Sequence, residues 1–151
     1  MEVHPVISQV TIDRVVSAMK AHGIELTIHE EAPSASANLN GFPVTIACIG
    51  SVVIVRTDSL TDTPTSAGDA RLYLAANHLN GIQMEASVAI VDLAETLVVR
   101  TEHEIFCAAG MTDEQLSAAL KTAVDGVLGL QDAMVVTAEE MGKLASSTSE
   151  N

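Results

Sequence analysis

Residues 43–56 read PVTIACIGSVVIVR, two runs of aliphatic and β-branched residues that are separated by Gly50-Ser51. β-branched side chains favour strands, and a glycine-first pair between two such runs favours a two-residue hairpin turn. We therefore predict two antiparallel strands over residues 43–49 and 52–56. Their weak alternation of apolar and polar residues predicts a central position in a sheet, covered at least in part on both faces.

Three further strands are predicted around this hairpin. Residues 24–30 alternate between apolar and polar side chains, which is typical of a half-buried strand. Residues 84–91 and 96–106 form a second strand pair joined by a short polar connection. By composition, 31–41 is predicted to be a loop, and the Thr-, Ser- and Asp-rich segment 57–68 is predicted to be a long mobile connection.

Three amphipathic helices are predicted from apolar residues three and four positions apart. The clearest start is Thr112, because Gln115 completes a capping box and Asp113 and Glu114 place negative charge at the positive end of the helix dipole. The predicted helices cover residues 12–22, which Thr11 caps, 69–80 and 113–128, and a further helical segment is predicted at 134–144.

The resulting order is helix, three strands, helix, two strands, helix. Strands joined by short turns pair antiparallel, so this order predicts an α+β fold with an antiparallel sheet of about five strands. The helices are expected to pack on one face of the sheet, which leaves the other face polar or buried against a partner. We expect a single domain over residues 1–145 and a disordered tail over 146–151.

Composition excludes several classes of function. The chain has 151 residues, a length typical of one domain, and its formal net charge is −13. Such a charge repels phosphate backbones and anionic lipids, so we expect neither nucleic-acid nor membrane partners. The chain begins without a basic segment ahead of an apolar run, and we expect a cytoplasmic protein. Cys48 and Cys107 are then expected to be reduced and buried.

No residue pattern indicates catalysis, a cofactor or a metal site. Glu102-His103-Glu104 contains metal-ligating residue types, but alternate residues of a strand point to opposite faces. Arg100, Glu102 and Glu104 are instead expected to share a solvated face of the last strand. Serine-nucleophile and glycine-rich nucleotide motifs are missing from the sequence. We therefore expect a protein without enzymatic activity, catalytic residues, cofactor or bound metal.

Four short segments, together with the element order, resemble the YbjN family, whose fold is similar to that of type III secretion chaperones. The segments are Thr11-Ile-Asp-Arg-Val15 with the later Gly23-Ile24, Ala76-Asn-His-Leu-Asn80, the paired strands that end near Ile105, and Gly110-Met-Thr-Asp-Glu-Gln-Leu116. The resemblance covers about residues 8–130. It implies a chaperone-like α+β domain that is homodimeric, has a regulatory or partner-binding role and carries no enzymatic activity.

The second predicted helix carries the candidate partner-binding residues. Tyr73, Asn77 and Asn80 fall on one side of it, and Leu74 lies off its main apolar face. With His78, these residues form the predicted binding set, and the dimer contact is expected at this helix and the strands beside it. The alternative is that the asparagines only end the helix and bond to nearby strand ends.

Three functional hypotheses follow from these observations. The leading one is a non-enzymatic protein that binds another protein or a second copy of itself. The second is a true type III secretion chaperone that binds an effector segment. The third is a small ligand-binding domain or enzyme with a pocket between sheet and helices.

Overall fold

The computed structural model describes residues 6–149, with side chains described as far as Leu144. One antiparallel sheet of six strands has the order β1-β2-β3-β4-β6-β5, and three α-helices pack against it. No described helix combines the length and apolarity needed to cross a lipid bilayer. The elements are α1 Ile12–Ala21, β1 Thr27–His29, β2 Ser34–Leu39, β3 Phe42–Ile49, β4 Val52–Pro64, α2 Arg71–Ile82, β5 Ser87–Val91, β6 Thr96–Phe106 and α3 Asp113–Ser149.

The α+β class and the antiparallel sheet are confirmed. The predicted hairpin is the β3–β4 pair, in which Ile49 lies opposite Val52 and Ile46 lies opposite Val55. Gly50 adopts a φ of 59° in its turn, a conformation that glycine reaches without steric cost. Strands β3, β4 and β6 lie inside the sheet, which agrees with the aliphatic composition of the first two.

The sheet has one strand more than predicted, because β2 occupies most of the segment 31–41 that was expected to be a loop. Its residues are small and polar, but β1 and β3 pair with it on both sides. Ala35 is also buried beneath the helices. Pairing and burial together outweigh the weak strand propensity of the residues in β2. Asn40-Gly41 closes the β2–β3 hairpin with positive φ at both residues, a strong turn signal that the composition-based reading missed.

The prediction of a mobile connection over residues 57–68 is wrong for most of that segment. β4 continues to Pro64 and pairs with β6 over this part, with Leu60 opposite Val98. Threonine is β-branched and suits a strand, and the Thr61 hydroxyl also donates to the carbonyl of Leu97 at 2.6 Å. A short 3-10 turn, Thr65–Ala67, then leads towards α2.

The third helix is continuous, where the sequence predicted two segments. Gly126 has a low helix propensity, but it lies where a Cβ would come within 3.2 Å of the Glu85 carbonyl oxygen. Glycine therefore permits a close approach, and Leu130 and Met134 continue the buried face against α2. The predicted tail from residue 146 begins within α3, and residues 150 and 151 lie outside the described part of the chain.

Aliphatic side chains fill the space between the sheet and the helices. One cluster joins α1 and α3 to β3, β4 and β6, and its fully buried members include Met19, Ile46 and Leu120. A second cluster joins α2 and α3 to β5 and β6. The core therefore occupies the place where the third hypothesis expects a ligand pocket.

Gln131 is the large polar side chain within this core and is 2% exposed. Its Nε2 donates to the carbonyl oxygens of Thr57 on β4 and Val99 on β6, at 3.1 and 3.0 Å. Nearby, the Thr101 hydroxyl donates to the carbonyl of Val127 at 3.0 Å. These bonds attach the middle of α3 to the two central strands.

Candidate interaction surfaces

The outward side of α2 exposes apolar side chains. Leu74 is 55% exposed and Ile82 is 64% exposed, with Tyr73 beside them. Together with the exposed polar residues Asn77 and His78, these five form what we call the α2 outer face. Ile82 was not in the predicted binding set, although its spacing of four from His78 and eight from Leu74 places it on that face.

Asn80, the fifth predicted residue, is bonded to the edge of the sheet. Its Nδ2 donates to the Val88 carbonyl at 2.8 Å, and its Oδ1 accepts the Val88 N–H at 2.9 Å. Strand backbone groups point alternately to either side, and those of Val88 point away from β6. The Asn80 amide therefore replaces a neighbouring strand at this position, so it attaches the end of α2 to β5.

We expect Asn80→Ala to lower the free energy of unfolding by about 1–2 kcal/mol, because Val88 then loses partners for a backbone donor and a backbone acceptor. Asn77→Ala is the matched control, since Asn77 is exposed on the same helix. It is expected to change stability by less than about 0.5 kcal/mol. Urea unfolding followed by circular dichroism measures both, and equal losses in the two variants contradict this assignment.

The start of α2 is held by a carboxylate just before the helix. Asp69 accepts the backbone N–H of Arg71 at 3.0 Å and also pairs with the Arg71 guanidinium. These hydrogen bonds lower the pKa of Asp69 from 3.8 to about 2, and they raise the pKa of Arg71. The first turn of α2 is therefore anchored although Ala70, the residue before it, supplies no side-chain cap.

The second candidate surface is the side of the sheet that faces away from the helices, which we call the open sheet face. In its middle, Arg56 pairs with Glu102 at 2.6 Å and Arg100 pairs with Asp58 at 2.8 Å. These pairs join residues directly opposite each other on β4 and β6. Hydrogen bonding to Asp58 raises the pKa of Arg100.

Large apolar side chains lie at both ends of the open sheet face. Phe106 is 76% exposed, and it lies opposite Val52, which pairs with the exposed Ile49. At the other end, Leu60 is 78% exposed and lies opposite Val98. The sequence predicted a polar or partner-covered face, and the structure shows charges in the middle and apolar residues at both ends.

The residues considered for metal binding are not arranged to hold an ion. Glu102 bonds to Arg56 on the open sheet face, whereas the His103 ring bonds to the carbonyl of Glu85 on the helix side. Within residues 6–144, no group of three or more His, Cys, Asp or Glu side chains is placed to hold a metal ion. Cys48 and Cys107 are free thiols, and burial raises the pKa of Cys48, with a smaller contribution from Cys107.

Two shallow clefts lie on the surface of the described residues. One has a volume of about 470 Å³ and is lined by residues 7–10, 50–51 and 107–110. A second, of about 430 Å³, lies where the α2–β5 turn meets β6. Backbone and small side chains form most of the first cleft, and it presents no constellation of catalytic groups.

Comparison with known proteins identifies the fold. No family profile matches the chain, and no curated protein matches it in sequence. Among solved structures, YbjN from E. coli, a candidate transcription regulator, is similar with a TM-score of 0.68 and 12% identity, covering 91% of this chain and 96% of YbjN. At this identity the likeness concerns the fold alone, and it confirms the predicted YbjN-like architecture.

Two complexes contain chains of related shape. A chain of the ExsC–ExsE complex has a TM-score of 0.52 and 16% identity, covering 80% of this chain and 92% of its own length. A chain of the HopA1–SchA chaperone–effector complex has a TM-score of 0.48 and 10% identity, with coverages of 78% and 89%.

Proposed function

We propose that this chain, which has the YbjN-like fold, is a non-enzymatic, chaperone-like protein that acts in the cytoplasm as a homodimer and binds a protein partner. The observation that carries the proposal is the α2 outer face. It exposes Tyr73, Leu74 and Ile82 on the side of one helix that faces away from the core. Contiguous exposed apolar groups bordered by polar ones are typical of protein interaction sites.

The charge of the chain defines the chemistry of the partner. A net charge of −13 attracts basic segments and repels nucleic acids and anionic membranes. The partner is therefore a protein segment that combines apolar side chains with lysine or arginine. The likeness to a chain of the ExsC–ExsE complex, which contains two different proteins, supports a protein as the ligand.

The interior supports a role in binding over a role in catalysis. The space between the sheet and the helices is filled by the two aliphatic clusters. The four charged side chains in the middle of the open sheet face are engaged in two ion pairs. These features leave the exposed helix and the open sheet face as the surfaces through which the protein acts.

Affinity capture from the native lysate tests the proposal, with wild type and Leu74→Asp as baits. The captured protein is then purified, and its dissociation constant is measured for each bait. We expect Leu74→Asp to weaken binding by about tenfold or more, because the contact loses the apolar side chain and would have to bury a carboxylate in its place.

Leu93→Asp is the matched control for this experiment. Leu93 is 92% exposed but lies between β5 and β6, outside the α2 outer face. This variant adds the same charge and is expected to bind within about twofold of wild type. Equal binding by wild type and Leu74→Asp contradicts the proposed site. A partner segment that is protected from proteolysis only in the complex favours the effector-chaperone form of the function.

A further inference from the structure

The open sheet face is arranged in rows that suit a second copy of the same face. Strand pairing places each outward side chain beside an outward side chain of the next strand. From one end to the other, the rows that cross β3, β4, β6 and β5 are Ile49–Val52–Phe106, Ala47–Ile54–Glu104, Thr45–Arg56–Glu102–Ser87, Asp58–Arg100–Ala89 and Leu60–Val98–Val91. The outer rows are apolar, and the two ion pairs lie between them.

The charges of the two middle rows form a checkerboard. Along β4, Arg56 is followed by Asp58, and on β6 Glu102 lies beside the first and Arg100 beside the second. A half-turn about the centre of these four residues exchanges one arginine with the other and one carboxylate with the other. The pattern is therefore two-fold symmetric within a single chain.

The face is also close to neutral. Within the five rows named above, the two arginines and the carboxylates of Asp58, Glu102 and Glu104 give a formal charge of −1, in a chain with a net charge of −13. Two copies of such an acidic protein repel each other most weakly where the local charge is smallest. Among the charges of these five rows, Glu104 alone lacks a partner on the neighbouring strand, since Ile54 lies opposite.

We propose that two copies of this chain associate through their open sheet faces, about a two-fold axis that runs along the strands between β4 and β6. This inference rests on the proposed homodimer and names its surface. The axis places Arg56 over the partner's Glu102 and Asp58 over the partner's Arg100. Phe106 then packs on the partner's Val52 and Leu60 on the partner's Val98. About this axis every row meets the same row of the second copy, and each contact occurs twice, as in any isologous interface.

The strand direction of the axis follows from the apolar rows. A two-fold axis across the strands also pairs opposite charges, but it places the row of Val52 and Phe106 over the part of β4 beyond Leu60, where Asp62 lies. That arrangement buries a carboxylate against the largest apolar residues, which is unfavourable. The axis along the strands avoids this contact.

The size of the face predicts a dimer of modest affinity. Four strands about 4.8 Å apart and about seven residues long give a patch of roughly 19 by 23 Å. Two patches of this size bury roughly 900 Å², which is typical of weak, transient interfaces, so the dissociation constant is expected to be of the order of tens of micromolar. Aligned packing of two sheets is also a common way to bury such faces.

Analytical ultracentrifugation of the full chain tests the surface. We expect wild type to dimerise with a concentration-dependent profile, and Phe106→Asp to raise the dissociation constant by about tenfold or more. Leu93→Asp carries the same new charge off the face and is expected to stay within about twofold of wild type. A wild type that remains monomeric at high micromolar concentration, or a Phe106→Asp variant that dimerises like wild type, overturns the proposal.

A charge-swap series tests the axis. Arg56→Glu alone places like charges against Glu102 in the chain and against the partner's Glu102, so the dimer is expected to weaken about tenfold or more. The double variant Arg56→Glu/Glu102→Arg restores both contacts, and its dissociation constant is expected within about threefold of wild type. If the two-fold axis ran across the strands, residue 56 would face the partner's Asp58. The glutamate at position 56 of the double variant would then meet a carboxylate, and the dimer would stay weak. Failure of the double variant to recover therefore overturns the proposed arrangement.

One further variant separates this inference from the proposed function. Leu74→Asp is expected to leave the dimer intact while it weakens partner binding, because Leu74 lies on the α2 outer face. Loss of the dimer in Leu74→Asp but not in Phe106→Asp shows that the copies meet at α2. In that case the open-face inference is wrong and the homodimer remains. Circular dichroism of each variant establishes that it is folded.

Discussion

Gln131→Glu is expected to lower the free energy of unfolding at pH 7 by about 4 kcal/mol or more, although the two side chains have nearly the same shape. Gln131 is 2% exposed, and its Nε2 donates to two backbone carbonyls. A carboxylate has no hydrogen to donate, so it would face both carbonyl oxygens with a negative charge. Burial of that charge without a donor is the source of the large cost.

The same variant is expected to recover stability as the pH falls. Burial raises the pKa of the introduced carboxyl group above its unfolded value of about 4.3, because only the protonated form can donate to the carbonyls. A group whose pKa is higher in the folded state than in the unfolded state stabilises the fold fully at a pH below its unfolded pKa. This contribution is lost as the pH rises through the folded pKa. The difference in the free energy of unfolding between wild type and Gln131→Glu should therefore shrink towards pH 4. Urea unfolding at a series of pH values measures this difference.

Gln131→Leu is the control that separates charge from packing. The carbonyls of Thr57 and Val99 both point into the gap between β4 and β6, where the strand ladder supplies other partners. An apolar side chain of similar volume is therefore expected to cost only about 1 kcal/mol, independent of pH between 4 and 7. A Gln131→Glu variant whose deficit is the same at pH 4 and pH 7 contradicts the assigned role.

Gly110→Ala is expected to lower the free energy of unfolding by about 3 kcal/mol. Gly110 has a φ of +80°, and a Cβ there would lie 2.8 Å from the carbonyl oxygen of Ser8. Ser8 is held to Met111 by two backbone hydrogen bonds, which join the chain before α1 to the chain before α3. A methyl group at residue 110 would push this segment away and break both bonds.

Gly41→Ala provides the matched control for Gly110→Ala. Gly41 has a similar φ of +85°, but no atom lies within 4 Å of the position of its Cβ. The control therefore measures backbone strain alone, about 1 kcal/mol, and the remaining cost at Gly110 measures the contact with Ser8. Urea unfolding of both variants gives the difference, and equal costs would show that the contact with Ser8 carries no energy.

Features that depend on three or four neighbouring residues were predictable from sequence. The capping box is present as expected, with Thr112 N–H donating to Gln115 Oε1 at 2.9 Å and Gln115 N–H donating to Thr112 Oγ1 at 3.1 Å. Thr11 likewise caps α1 by accepting the Arg14 N–H at 3.3 Å. Helical periodicity also predicted that Leu74 lies off the buried side of α2.

Features that depend on distant partners were missed. β2 and the second half of β4 are built from small or polar residues that resemble loops, and they are strands because β3 and β6 pair with them. Gly126 has a low helix propensity, but it permits contact with the chain after α2, and α3 is continuous through it. Propensity is a weak term that pairing and packing override.

The candidate surfaces also combine features that the sequence predicts with features that only the tertiary structure shows. The order of elements, the α+β class, the acidic charge and the exposure of α2 followed from the amino-acid sequence itself, because caps, turns and periodicity act within one or two helical turns. Tertiary structure alone decided that Asn80 bonds to Val88, that Gln131 bridges two strands, and that Arg56 and Arg100 lie diagonally opposite on the open sheet face. The physical reason is that strand register, and the face left without a cover, depend on the packing free energy of residues far apart in the chain.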